Sequence, residues 1–130
     1  MNNYLVIAIG GALGSVLRFA FSGCVANPAG QAFLGTMLVN VSGSFIIGLF
    51  ASLTGSDGRW TASPMMRNFF MIGICGGYTT FSSFSLQTLE LMQGKQWLQA
   101  GANTLFSVIL CLVAVWLGYI LGALVSAKGG

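Results

Sequence analysis

Histidine is absent from this chain of 130 residues, which carries only two acidic and five basic side chains. The missing imidazole removes the commonest general base and metal ligand. Its only carboxylates, Asp57 and Glu90, fall in a loop and near a predicted helix end. No nucleophile, base and acid set can be assembled from them, so a membrane enzyme is disfavoured. Cys24, Cys75 and Cys111 are odd in number, have no paired spacing and all fall within apolar runs. That pattern argues against a disulfide framework or a metal centre and for packed thiols. Proline occurs twice, and both copies sit in the separators between apolar runs.

Charge is the most informative shortage. Charged residues make up 5% of the chain, against about 25% in a soluble domain. Hydrophobic residues make up 55% and the mean hydropathy is +0.85, which together define an integral membrane protein. A membrane-crossing helix needs about 20 mostly apolar residues. Four such runs are laid end to end, residues 4–26, 33–53, 65–92 and 97–126, in a single transmembrane domain covering 1–130. The separators "NPAGQ", "TGSDGRWTASP" and "QGKQ" carry turn residues and most of the charges. The first run opens on Met1-Asn2-Asn3 without a cationic leader and contains Arg18, so it reads as a retained helix rather than a cleaved signal.

Arg59, Arg67 and Lys128 flank one end of the four runs, and Lys95, with Arg18 inside the first run, the other. Orientation follows an excess of Lys and Arg, and so small an excess permits insertion either way up. Glycine pairs four apart, Gly10 with Gly14 and Gly118 with Gly122, together with Gly35, Gly43 and Gly48, predict close helix contacts.

Polar residues inside the runs need partners or water, and here they are ordered. Thr36, Asn40 and Ser44 recur every fourth residue in the second run, as do Asn103, Ser107 and Cys111 in the fourth. Each series drifts only about 40° per step around a helix and forms a stripe. Two neutral hydrogen-bonding stripes without a carboxylate between them favour a lined path over interhelical glue.

The third run contains "GICGGYTTFSSFSLQTLE", Gly73 to Glu90. As one straight helix its 28 residues, 65–92, would be on the order of 42 Å long, beyond a hydrocarbon core of about 30 Å. A break is expected at Gly76-Gly77, where glycine weakens the helix. Carbonyls freed there suit a cation, and half-helix N-termini suit an anion. If helix resumes, Phe81, Phe84, Ser85 and Thr88 share an arc of about 100°. Ring edges are weakly positive and hydroxyls donate hydrogen bonds, a surface suited to a small anion that must also be released.

"GGYTTFSSFS", with "GGALGSVLRF" and "GTMLVNVSGSFIIGL", closely resembles the Fluc (CrcB) family of fluoride channels, and the likeness in span spacing covers essentially the whole chain. The resemblance implies an all-α, dual-topology antiparallel homodimer in the inner membrane, its third helix broken at mid-membrane. It implies two separate pores that export fluoride passively and protect the cell from its toxicity. On the matching positions it implies pore roles for Phe81, Phe84 and Asn40, a hydroxyl-rich segment at Ser82, Ser83 and Ser85, and polar pore positions at Asn103 and Ser107. Arg18 matches a vestibule arginine. Gly76 and Thr79 match residues whose backbone carbonyls hold a structural Na+ at the dimer interface. Gln87 departs from the pattern, since relatives usually carry glutamate there. A small dual-topology drug/proton antiporter fits the length but lacks an intramembrane carboxylate. A non-transporting scaffold would leave the polar stripes unexplained.

Overall fold

In the computed structural model the described residues are 2–25 and 31–129, and all regular structure among them is helical. Helix α1 spans Asn3–Val25 and α2 spans Ala32–Leu53. The third span is built in pieces. An α-helical turn, Pro64–Arg67, continues as a π-helix, Asn68–Cys75, and closes with a last turn, Gly76–Tyr78; residues 64–78 are called α3 below. Helix α4, Phe81–Gln93, completes that span, and α5, Trp97–Lys128, forms the fourth. Four helical spans are therefore long and apolar enough to cross a membrane. The first separator lies outside the described residues except for Gln31.

Ser63 begins the third span, its hydroxyl accepting the Met66 N–H at 3.2 Å, and Pro64 follows where its missing N–H is not needed. Arg67 then ties this start to the end of α2 by donating to the Thr54 carbonyl at 2.8 Å. The helical run stops at Tyr78. Thr79 (φ −79°, ψ 157°) and Thr80 (φ −152°, ψ 112°) are extended, and helix restarts at Phe81 under a Thr80 N-cap whose hydroxyl accepts the Ser83 N–H at 3.2 Å.

This geometry corrects the expected position of the break, because Gly76 is helical (φ −65°, ψ −38°) and Gly77 lies within the same turn. The reason is packing. A Cβ on Gly77 would meet the Gly11 carbonyl oxygen at 2.5 Å, and one on Gly14 would collide with the Ile74 carbonyl. Glycine is required at these positions so that α1 and α3 can touch backbone to backbone, which substitutes for the hydrophobic drive that lipid does not provide. Helix α5 lies against α2 in the same manner, with Gly118 directly over the Phe45 carbonyl.

Among the described residues the interior is half polar and the exterior apolar. Buried Thr36, Ser52, Thr54, Thr80, Thr88, Asn103 and Ser107 match in number the buried Val6, Val39, Leu53, Cys75, Phe84, Ala100 and Ala114. Large side chains such as Phe19 and Leu98 stand outward, 82% and 87% exposed. A soluble domain inverts this arrangement; a bilayer accepts it, because lipid solvates the outside and polar groups must pair within.

Candidate functional site

The site starts from the problem that two extended residues create inside an apolar span. Thr80 has left both helices, and its backbone N–H and C=O need partners that lipid cannot supply. Asn40 of α2 meets both needs with one side chain. Its Oδ1 accepts the Thr80 N–H at 2.7 Å, and its Nδ2 donates to the Thr80 carbonyl at 3.0 Å. One Nδ2 hydrogen lies outside this pair. Gly43, one turn further along α2, has no room for a Cβ because Thr79 Cγ2 fills the space. The amide and the gap together hold the extended dipeptide against α2.

Two cavities meet at Thr80, which lines both. The first, about 400 Å³, lies among α2, α3, α4 and α5, and Asn40, Ser44, Ser107, Phe81 and Phe84 all reach it. The two rings are 5.3 Å apart between centroids and inclined at 48°, an open, tilted pair. Their environments differ: Phe84 is 8% exposed in the single chain and Phe81 76%. The arc expected to place both on one face is thus split between interior and surface.

The second cavity, about 570 Å³, is lined by Arg18, Ser15 and Ser22 of α1, Thr36 of α2, and Ser83 and Gln87 of α4. Among the described residues Arg18 is the only charged side chain on it, and Nη1 reaches the Thr79 carbonyl at 3.5 Å. The Thr36, Asn40 and Ser44 stripe therefore divides, with Thr36 on the arginine side of Thr80 and the other two on the phenylalanine side. Gln87 also borders a third cavity, of about 170 Å³, beside Glu90 and Gln96. Its Oε1 is buried and has no hydrogen-bond partner among the described residues.

The remaining expected site residues are placed differently. Asn103, 1% exposed, lines none of these cavities. It donates to Thr88 Oγ1 at 3.0 Å and accepts from Ser107 Oγ at 3.2 Å, while Thr88 donates to the Phe84 carbonyl at 2.8 Å. This relay fastens α5 to α4 one helical turn beyond Phe84. Ser85 is exposed and returns its hydroxyl to the Phe81 carbonyl at 2.9 Å. Ser82, also exposed, lies 3.3 Å from Thr80 Oγ1 and outside both main cavities. Gly76 and Thr79 border the first cavity. Because the Thr80 N–H donates to Asn40, Gly76 C=O does not receive the amide a continuous helix would give it.

Thr80 is the residue the sequence reading passed over. A threonine at the start of a segment that resumes helix is an N-cap candidate. It would have placed the restart at Phe81 and the interruption just before it.

Fold and site together define a small four-span membrane protein whose neutral polar groups, with a single arginine, line cavities between its helices. The sequence pattern of the family described as "CrcB-like protein, Camphor Resistance (CrcB)" matches residues 5–119. A protein of Rhodospirillum rubrum named "Fluoride-specific ion channel FluC" is 56% identical over 127 residues, 97% of this chain and 98% of that protein. A protein of the same name from Opitutus terrae is 57% identical over 131 residues, 99% of each chain, and one from Methylocella silvestris 52% over 129 residues, 98% of each. The chain belongs to the CrcB family.

Proposed function

We infer that this chain is a fluoride-specific ion channel, a passive conductor rather than an enzyme, which lets fluoride leave the cell down its gradient and so limits its toxicity. The observation that carries this reading is the identity of 56% and 57%, over almost the full length, to proteins named as fluoride-specific channels. The geometry supports it. Phe81, Phe84, Asn40, Ser44 and Ser107 surround one cavity and Arg18, Thr36 and Ser83 the next. Among the described residues no carboxylate borders either. A small anion entering beside Arg18 is drawn by one positive charge, passes the hydroxyls at Thr80, and meets ring edges that attract it without a fixed counter-charge. Such a path binds weakly enough to release. The antiporter reading gains nothing, since Asp57 and Glu90 are both exposed.

The working unit in this proposal is an antiparallel homodimer in the inner membrane, with the Thr79-Thr80 interruption at mid-membrane depth. Phe81 is 76% exposed beside a polar-lined cavity in the single chain, and a second copy would cover what lipid covers poorly. The near balance of flanking charges permits opposed insertion. Carbonyl oxygens are hard donors suited to a hard cation, so Gly76 and Thr79 from two chains would hold a structural Na+ on the two-fold axis. That ion would supply fixed positive charge joining the two interrupted spans. Ser82 and Ser85, exposed in one chain, would then face the partner or the pore mouth, and Asn103 would brace the helices one turn beyond Phe84.

The test is fluoride efflux from liposomes containing the purified protein, followed with a fluoride electrode while an ionophore clamps the voltage with potassium. Efflux without any proton or sodium gradient is expected. Retention of fluoride by vesicles that contain correctly assembled protein would overturn the reading.

A further inference from the structure

A fourth cavity, of about 450 Å³, lies where the loop between α2 and α3 meets the last turns of α5. It shares no lining residue with the three cavities above, so the channel reading leaves it unused. Its loop is firmly held. The Trp60 N–H donates to the Leu53 carbonyl at 2.9 Å, the Gly58 N–H to the Gly55 carbonyl at 3.0 Å, and the Arg59 N–H to Ser126 Oγ at 3.1 Å. These bonds fold the loop back on α2 and fasten it to α5. Ser52, 8% exposed, lines the cavity with Ser56, Ser126 and Tyr119, and Asp57 is its only charged side chain among the described residues. The Arg59 guanidinium lies over the end of α5, 3.0 Å from the point a Cβ on Gly129 would occupy. Depth in the membrane follows from length. Helix α5 has 32 residues and measures about 48 Å, against about 30 Å for the hydrocarbon core and about 40–45 Å for the bilayer with its headgroups. Its last turns, with Ser126 and Ala127, therefore reach headgroup level.

We propose that this cavity binds the headgroup of a membrane phospholipid bearing a primary ammonium, of the phosphatidylethanolamine class. Asp57 receives the ammonium, whose three N–H groups find acceptors in the carboxylate and the neighbouring hydroxyls. The phosphate lies toward Arg59, whose guanidinium suits it. The acyl chains descend past Ala123 and Tyr119, which are exposed on the same side of α5 and nearer the membrane centre. Charge decides among headgroups. An anionic headgroup without an amine meets Asp57 as a like charge, and a trimethylammonium group has no hydrogen to donate. Asp57 and Arg59, two residues apart in a loop of fixed shape, together match a zwitterion better than either charge alone. The lipid site does not rest on the channel reading.

The test titrates the delipidated full chain in detergent with dioleoyl phosphatidylethanolamine, phosphatidylcholine or phosphatidylglycerol and counts retained lipid by native mass spectrometry. About one phosphatidylethanolamine per chain should be held, about tenfold more tightly than either other lipid, the worth of one charge-assisted hydrogen bond. Asp57→Asn should abolish that preference and Asp57→Glu should keep it. Arg59→Gln should weaken retention of all three lipids, because the phosphate is common to them. Lys95→Gln, at the opposite end of the bundle, should bind as the wild type does. Equal retention of the three lipids by the wild type would overturn the site without recourse to any variant. A preference that survives Asp57→Asn, or is lost on Lys95→Gln, would overturn it too. If the preference holds but the protein never conducts fluoride, the channel reading fails while the lipid site stands.

Discussion

Asn40 replaces two backbone hydrogen bonds with one side-chain amide, so its removal leaves the Thr80 N–H and C=O unpaired in a buried place. Each unsatisfied buried group costs about 1–3 kcal/mol. Asn40→Leu is therefore expected to lower stability by about 2–4 kcal/mol, seen as an earlier thermal transition of the purified protein; an unchanged transition would show that Thr80 finds other partners. The two phenylalanines call for a different experiment. Phe81→Ile and Phe84→Ile keep apolar bulk and remove the ring quadrupole, and fluoride efflux should fall by about tenfold or more while the gel-filtration profile stays that of the wild type. Phe106, 54% exposed and lining neither main cavity, supplies the control substitution. Efflux retained in both ring variants would make the rings packing residues. Spacing and family pattern pointed to Asn40, Phe81 and Phe84, and the three border one cavity. That Asn40 is spent largely on Thr80 was not legible, since a side-chain hydrogen bond to a residue forty positions away leaves no periodic signal.

At the scale of elements, four apolar runs correspond to four observed helical spans, because length and hydropathy suffice for that inference. The interior of the third span was harder to read. A glycine pair signals either a flexible backbone or a close neighbour, and only the position of α1 decides between them. Gly77 proves to be a contact residue, and the interruption falls on two threonines whose β-branched side chains suit extended backbone. The same contact gives a test. Gly14→Ala drives a Cβ into the Ile74 carbonyl, while a Cβ on the neighbouring Gly11 meets nothing within 4 Å. Overpacking costs about 1–3 kcal/mol, so Gly14→Ala should melt earlier than Gly11→Ala, which should stay close to wild type. Equal stability of the two variants would mean that α1 does not lie on α3 as described. The π-helix at Asn68–Cys75 was also invisible in the sequence, whose apolar run carries no mark separating i→i+4 from i→i+5 closure.

At the scale of the molecule, a core that among the described residues has as many buried polar as buried apolar side chains holds together only where lipid or a second chain covers the rest. Assembly as an antiparallel pair is therefore expected. Cysteines introduced at Trp97, at the start of α5, and at Lys128, at its end, on a background without native cysteines, should cross-link one to the other between protomers; links only between like ends would mean a parallel pair. The central claim, selective passive conduction of fluoride, is tested most directly in liposomes loaded with equal fluoride and chloride and opened by an ionophore, with both anions followed in the same sample. The account predicts rapid loss of fluoride with chloride retained. Release of both anions at similar rates, or of neither, would contradict it.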